Sequence, residues 1–370
     1  MNQPRPPVRI GFAGCGNVLG AYLALARRLA AQGRAEVVAA CGPERHRRRV
    51  LVELRIPAFY ADYGELLAQA NVDVVVILTP MRAHAAMATA ALRAGKHVLV
   101  EKPLATDLGE AAALVALARQ SQGFLLCAPF TTLSPTFRAV ARRLQRGDIG
   151  QVFSARGRYG WAGPDWTDWF YKPGGGALFD LGVYNLTTLT GWLGPVRRVT
   201  AMVGVAIQQR LVEGKPVRVE ADDNAQVLLD FGRQCFGVLT TGFTIQQYHG
   251  PGLELFGAEG TLYLHGDDWD PDGYELWQNS AGCWQYFKET QPDWPWTDGL
   301  RHLVDCIQQG RPPCVSPEHA LHVLEIMLQA QAAGRDGQTR EIQSTFPPPV
   351  IEETEATAAA HRIHDRTREE

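Results

Sequence analysis

An apolar run that ends on two opposite charges and a proline is the first place in this chain that invites chemistry. In "HVLVEKPLATD", Val98, Leu99 and Val100 read as the end of a buried strand, and Glu101, Lys102 and Pro103 follow with no turn residue before them. A carboxylate and an ammonium at a buried strand end are costly unless paired or employed, and Pro103 removes the backbone donor with which the strand would continue. A structural salt bridge and a working site are both open readings of that pair. A second candidate lies in "IGFAGCGNVLGAYLALA", where Gly14 and Gly16 separate a strand from a helix and Asn17 and Val18 lead into that helix. Glycines there let the backbone approach a pyrophosphate, whose charge the helix N-terminus faces. Gly20 comes one residue later than the third glycine of the commonest G-x-G-x-x-G form. A third candidate is Asp180 with Tyr184, four residues apart in a helical stretch and so on one face. A phenol whose ordinary value is near 10 is a poor base at neutral pH but a good proton donor. A fourth is "YGWAGPDWTDWFYKPGGG", with Trp161, Trp166, Trp169, Phe170 and Tyr171 around Asp165 and Asp168. Aromatic faces beside carboxylates suit carbohydrate recognition, with Trp166, Trp169 and Tyr171 as the expected contacts. A hydrophobic plug between domains is the structural alternative.

The elements that must hold these residues follow from periodicity. Residues 8–127 alternate short apolar runs ("VRIGFAG", "AEVVAAC", "DVVVILTP", "HVLVEKP", "FLLCAPF") with helical patterns, including one over "PERHRRRVLVELR". This predicts a doubly wound parallel sheet covered on both faces, an α/β dinucleotide-binding domain. Strand-like runs dominate residues 128–345, interrupted by a helix around "GGALFDLGVYNLTTLTGWLG" and closed by helices over "WTDGLRHLVDCIQQG" and "SPEHALHVLEIMLQAQAAG". The expectation is an α+β domain with a large, open, mostly antiparallel sheet, used for substrate binding and oligomerisation. Residues 346–370, Pro-rich and then charged, predict a poorly ordered tail or an extended arm.

The second strand ends on Cys41, where an NAD-binding domain commonly carries a carboxylate for the adenosine ribose, and Arg45 follows closely. Cys41 and Arg45 are therefore expected at the ribose, and the missing carboxylate favours NADP slightly over NAD. Glu44 turning in to serve NAD, and the arginines forming a solvated helix face, are the alternatives.

Composition narrows the class. The chain has 370 residues, 46% hydrophobic and 20% charged, with a formal net charge of -3. That is a globular chain with no long-range pull toward nucleic acid or an anionic membrane. No apolar run reaches the length of a membrane span. The seven cysteines are scattered without a Cys-x-x-Cys pair, which predicts free thiols in a reducing cytoplasm and no metal site.

"ILTPMRAHAAMATAALRAGKHVLVEKPLA" and "GGGALFDLGVY" together resemble the Gfo/Idh/MocA family of NAD(P)-dependent sugar and polyol oxidoreductases. The matched positions are Thr79, Pro80, His84, Ala94 to Val98 and Glu101 to Pro103, then Gly174 to Tyr184. The resemblance implies that Lys102, presented by a cis peptide to Pro103, reaches the oxygen of the carbon that exchanges hydride. An ammonium there stabilises the developing alkoxide. It also implies that Glu101, Thr79, Pro80 and His84 lie on the cofactor side, although His84 also reads as a satisfied histidine at a helix start. Asp180 is then the residue that orients the substrate and the lysine. Tyr184, where the family usually has histidine, is then the proton donor or acceptor, and Lys102, brought near it by the same resemblance, is expected to pull its phenol down.

The leading expectation is reversible oxidation of a hydroxyl on a sugar, inositol or related polyol. The alternatives are a glycoside hydrolase or lyase that oxidises C3 transiently with no net redox, and a cofactor-sensing protein without catalysis. The expected partner is a small carbohydrate or polyol. "QVLLDF", "GVLTTGF" and "TLYLHG" carry apolar residues on both alternations, which with the resemblance predicts a homodimer or homotetramer built through the second sheet.

Overall fold

The computed structural model describes residues 5–288 and 294–351. The tail expected over 346–370 lies outside the described residues beyond position 351. The first half is built from β1 (Val8–Ala13), α1 (Leu19–Ala31), β2 (Ala35–Cys41), β3 (Ala58–Tyr60), α2 (Tyr63–Gln69), β4 (Val74–Ile77), α3 (His84–Arg93), β5 (His97–Val100), α4 (Leu108–Gln120) and β6 (Leu125–Cys127). These strands form one parallel sheet in the order β3-β2-β1-β4-β5-β6. Val74, Val75, Val76 and Ile77 are fully buried, as continuous apolar strands between two helical layers should be. The strand order reverses between β1 and β4, and doubly wound sheets bind ligands outside the strand ends at such a point.

The segment expected as a regular helix after β2 departs from that form. It makes a 3₁₀ turn at Glu44–His46 and a single π turn at Arg49–Glu53, in which the Leu54 N–H donates to the Arg49 carbonyl at 2.8 Å.

The second half continues with α5 (Pro135–Gln145), β7 (Val152–Gly160), α6 (Val183–Leu193), β8 (Arg198–Gly204), the hairpin of β9 (Gln209–Val212) and β10 (Lys215–Arg218), β11 (Asn224–Gly232), β12 (Cys235–Gly242), β13 (Leu253–Gly257), β14 (Gly260–Asp267), β15 (Asp270–Gln278), β16 (Cys283–Phe287), α7 (Gly299–Gln309), α8 (Pro317–Asp336) and β17 (Arg340–Glu341). Nine of these strands make a mixed, mostly antiparallel sheet in the order β16-β15-β14-β13-β7-β12-β11-β8-β17, with β7 and β12 parallel. α6 and α8 cover one face, where Leu186, Leu189, Val323 and Met327 join Val227, Leu239, Leu255 and Leu262 in a core with no exposure above 2%. The other face carries Met202, Leu228 and Phe236, which are 81%, 53% and 49% exposed.

One helix is not where periodicity put it. α7, expected to close the second domain, packs instead on α1 and the first sheet, and its Leu300, Leu303 and Val304 join the cluster of Ile10, Leu19 and Leu23. Its apolar side matches the uncovered flank of the first sheet, so the chain crosses back over the N-terminal half before ending in the second.

Candidate active site

The first parallel sheet delivers Glu101 and Lys102 to its carboxyl edge because β5 stops at Val100, where the Ala128 N–H still donates to the Val100 carbonyl and the Glu101 N–H donates to the Ile77 carbonyl at 3.0 Å. The Lys102–Pro103 peptide is cis. Opposite this edge a π turn, Leu178–Gly182, leads into α6 and carries Asp180. That turn is anchored by Asp222, whose carboxylate accepts from the Leu178 N–H at 3.0 Å and whose carbonyl accepts from the Ala177 N–H at 2.8 Å. Gly176 makes the approach possible: its φ is +104°, and a Cβ there would lie 2.6 Å from the Asp222 carboxylate. Lys102 Nζ bridges the two halves, 2.7 Å from Asp180 Oδ1 and 2.7 Å from the Asp180 carbonyl oxygen. Both side chains are mostly buried, 11% and 15% exposed. The same ammonium lies 5.2 Å from the centre of the Tyr184 ring. Lys102, Asp180 and Tyr184, far apart in the chain, therefore meet at one point.

Glu101 is oriented rather than loose. Its Oε1 accepts from the Tyr22 hydroxyl at 2.7 Å and its Oε2 from the Lys102 N–H at 3.1 Å. The Tyr184 phenol is raised well above its ordinary value, first by burial and then by the charges of Glu101, Asp180 and Asp268. This corrects the expectation that Lys102 would pull it down: three carboxylates surround the ring and Lys102 is committed to Asp180. The phenol keeps its proton across the neutral range.

The glycine loop has the form of a phosphate cradle. Gly14 has φ +108°, and a Cβ there would meet the Leu78 carbonyl at 2.6 Å, whereas one on Gly16 would meet nothing within 4 Å. α1 begins without any side-chain cap on its first N–H groups, and Gly16, Asn17 and Val18 are exposed before it. A dinucleotide pyrophosphate fits this arrangement. Thr79, half-buried, and Pro80, exposed, follow β4 beside the same loop.

Three expected contacts fall elsewhere. The Cys41 thiol is buried in the core, 5% exposed, and only its carbonyl meets the loop, accepting from the Gly14 N–H at 2.9 Å. The last position of β2 points inward because the sheet is covered on both faces, so Pro43, Glu44 and Arg45 are the exposed residues beyond that strand end. His84 is 1% exposed with both ring nitrogens engaged, Nδ1 2.7 Å from the Pro103 carbonyl and Nε2 2.8 Å from the Thr79 carbonyl. Burial lowers its basicity, and a neutral ring donates to one of these two carbonyls while its other nitrogen lies against the second, enclosed between the loops. Tyr171 is 1% exposed, and its hydroxyl donates to the Pro164 carbonyl at 2.6 Å inside a cluster with Phe243. Its neighbours stack on one another: Trp161 on Trp166 at 5.5 Å and Trp169 on Phe170 at 3.7 Å, with Trp166 45% exposed. Much of that aromatic surface is thus internal packing, although the loop reaches the N-terminal half, where Arg82 donates to the Pro173 carbonyl.

The cleft next to the reacting centre is lined by Glu101 and Tyr184 together with Phe130, Thr131, Trp269, Trp294 and Trp296. Trp269 comes from the turn between β14 and β15, and no local pattern in "GDDWDPDG" distinguishes it from a hairpin tip. Tyr22, which holds Glu101, is likewise spaced like any core position of α1. Among the described residues no cluster of side chains could hold a metal ion, and no helix is long and apolar enough to cross a membrane.

Residues 8–128 match the oxidoreductase family with an NAD-binding Rossmann fold, and residues 137–263 match the GFO/IDH/MocA C-terminal domain. The chain is 32% identical over 263 residues to a dTDP-3,4-didehydro-2,6-dideoxy-alpha-D-glucose 3-reductase of Streptomyces violaceoruber, covering 70% of this chain and 72% of that one. It is 36% identical over 191 residues to the enzyme of that name from Actinomadura kijaniata, spanning 51% of this chain and only 57% of the relative's length. Human trans-1,2-dihydrobenzene-1,2-diol dehydrogenase is 29% identical over 225 residues, 58% of this chain and 62% of that one. Among solved structures, an NAD binding oxidoreductase from Klebsiella pneumoniae superposes with a TM-score of 0.81 at 25% identity, covering 92% of this chain and all of that one. A levoglucosan dehydrogenase in complex with NADH shares the fold with a TM-score of 0.81 at 19% identity, over 91% of this chain and all of the other. With its glycine loop, its Lys102–Asp180 pair and these matches over both halves, the chain belongs to the GFO/IDH/MocA family of oxidoreductases with an NAD-binding Rossmann domain.

Proposed function

We propose that this protein transfers hydride between a nicotinamide and a hydroxyl or keto carbon of a cyclic, sugar-like substrate, with Lys102 at the reacting oxygen. The observation that carries this reading is the 2.7 Å contact of Lys102 with Asp180, mostly buried at the carboxyl end of β5 and facing the same strand ends as the glycine loop. Gly14, Gly16, Asn17 and Val18 hold the pyrophosphate, and Glu101, fixed by Tyr22, borders the nicotinamide. When bound, the nicotinamide supplies the hydride chemistry. Lys102 donates to the substrate oxygen and favours the negative charge that builds there. Asp180 aims the ammonium, and Tyr184, a neutral phenol, gives its proton to the substrate oxygen in the reducing direction. Trp269, Trp294 and Trp296 supply flat apolar surface for a ring, and the exposed Trp166 and Trp169 loop forms the outer rim.

Arg45, exposed beyond β2, is offered to a ribose 2′-phosphate, while the neighbouring Glu44 carboxylate is held by Arg47. This supports a modest preference for NADP. The exposed apolar residues on the outer face of the second sheet support assembly of copies through that face, and buried free thiols suit a reducing compartment. Redox-assisted glycoside cleavage is disfavoured by the same geometry, since it needs a free base near C2. Tyr184 retains its proton, and His84 is enclosed between the Thr79 and Pro103 carbonyls, 1% exposed. The test is a panel of cyclic ketones, pyranoses, inositols and aryl glycosides assayed with NAD(H) and NADP(H). Stoichiometric conversion of added cofactor is expected, faster at low concentration with the phosphorylated form. Cleavage of a glycoside with cofactor needed only in trace overturns the reading.

A further inference from the structure

Behind Tyr184 the fold buries a carboxyl group that hydride transfer, as described, does not use. Asp268 stands in the turn between β14 and β15 and is 3% exposed. Its Oδ2 accepts from Asn185 Nδ2 at 3.2 Å, and the Thr188 hydroxyl lies alongside. Its Oδ1 has no hydrogen-bond partner among the described residues, and neither does the Oδ1 of Asn185. Two buried acceptors without donors are expensive, and a proton on the carboxyl makes one of its oxygens a donor in that pocket. The groups that face Asp268 are Asp267 on its own hairpin, Tyr184, Asn185 and Thr188 on α6, Tyr159 on β7 and Tyr248 in the loop before β13. The Arg158 guanidinium sits over the Tyr248 ring, 5.2 Å from its centre, and the Lys102 ammonium lies 5.2 Å from the centre of the Tyr184 ring.

This residue is joined to the reacting centre on two sides. Asn185 follows Tyr184 directly on α6. Trp269 follows Asp268 directly, lines the cleft, and lies 6.5 Å from the Tyr184 ring, centre to centre. We propose that Asp268 is a positioning residue for the proton-handling step: through Asn185 and the Trp269 turn it seats Tyr184 in the cleft, and its own charge state modulates that step. The proposal rests on the oxidoreductase reading above.

The chemistry fixes the direction. In reduction a bound reduced nicotinamide would supply the hydride to the carbonyl carbon and be oxidised in turn. The carbonyl oxygen takes the Tyr184 proton, and the phenolate left behind recovers a proton from solvent. Burial, chiefly, pushes the Asp268 carboxyl up to about 7, so it is neutral below that pH and ionised above it. An ionised Asp268 adds a negative charge beside a phenolate already facing Glu101 and Asp180 and so opposes its formation. The turnover rate is therefore higher with Asp268 neutral.

The test is Asp268→Asn in the full-length protein, with folding and cofactor affinity checked first. In the infrared spectrum of the wild-type protein without substrate, a carboxylic-acid carbonyl band is expected below pH ~7 that fades above it and is missing in Asp268→Asn. In the reductive direction kcat of the wild type is expected to fall as pH rises through ~7, and Asp268→Asn to lose that inflection. Asn185→Ala removes the amide donor to the carboxylate, so band and inflection both move to higher pH, which decides the matter should Asp268→Asn fail to fold. A folded Asp268→Asn enzyme that keeps the wild-type inflection, or an Asn185→Ala enzyme with both signals unmoved, overturns this proposal alone. A wild type with the band but no nicotinamide-dependent turnover of any cyclic substrate overturns the oxidoreductase reading and the proposal with it.

Discussion

At the scale of single residues, the site separates groups by what surrounds them. Lys102 meets a carboxylate and a carbonyl oxygen of the same residue, so its ammonium is aimed before any substrate arrives. Tyr184 sits among three carboxylates and keeps its proton. Tyr184→Phe removes only that donor, and is expected to lower kcat by about 10² while leaving cofactor affinity and the substrate KM within a few-fold of wild type. Steady-state kinetics with a turned-over substrate check this, and an unchanged kcat would place the proton elsewhere. The Lys102, Asp180 and Tyr184 positions were legible in the sequence because two short blocks carry them with fixed spacing. Cys41, His84 and Tyr171 were misplaced for a common reason: each has the right residue type next to the site, but the backbone turns its side chain into the core or saturates it. Nothing in the local pattern of a strand end or a helix start distinguishes those orientations.

At the scale of elements, the π turn before α6 and the sharp end of β5 bring the two halves of the site together, and α8 holds the second half in shape. His319 and His322 on α8 are buried and packed against Phe346 at ring distances of 4.1 and 5.1 Å. His322 Nε2 accepts from the Val196 N–H at 3.0 Å, so its Nδ1 donates to the Ser344 carbonyl. Burial pushes His319 down to about 3 and His322 down to about 4, against an ordinary 6.5. Unfolded, both take protons as pH falls through about 6.5; folded, they resist until about 4 and 3. Their contribution to stability is therefore fully present above pH ~6.5 and is lost progressively as pH falls below it. Denaturant unfolding is expected to show lower stability at pH ~5 than at ~7, with a slope of up to about two protons, reduced by about one in His319→Gln. Equal slopes for the two proteins would mean that His319 is not held neutral. These helices were visible as periodic apolar patterns, whereas the destination of α7 was not: amphipathic spacing says that a face will be buried, not which sheet will bury it.

At the scale of the whole molecule, the two sheets divide the labour. The parallel sheet presents the cofactor edge, and the nine-stranded sheet carries Asp180 and Tyr184 through α6 and Trp269 through its β14–β15 turn. Its helix-free face exposes Met202, Leu228, Phe236, Trp284 and Tyr286, large apolar side chains that a second copy of the sheet could cover. Light scattering is expected to report a dimer or tetramer, and the double substitution Leu228→Lys with Phe236→Lys to shift it toward monomer without unfolding. A wild-type monomer at micromolar concentration would remove the interface. The fold class was readable because alternating short strands and helices admit few arrangements. The Trp269 part of the cleft wall was not, because it reaches the cleft through the β14–β15 turn of the second sheet.

The account stands on Lys102. Lys102→Met keeps the length of the side chain and removes its charge, and with it an interaction made mainly in the transition state. Measured on folded protein with the substrate found in the panel, kcat is expected to fall by about 10² to 10³, while cofactor affinity stays near the wild-type value because the glycine loop is untouched. A folded, cofactor-bound Lys102→Met protein that turns over that substrate at the wild-type rate would contradict the account.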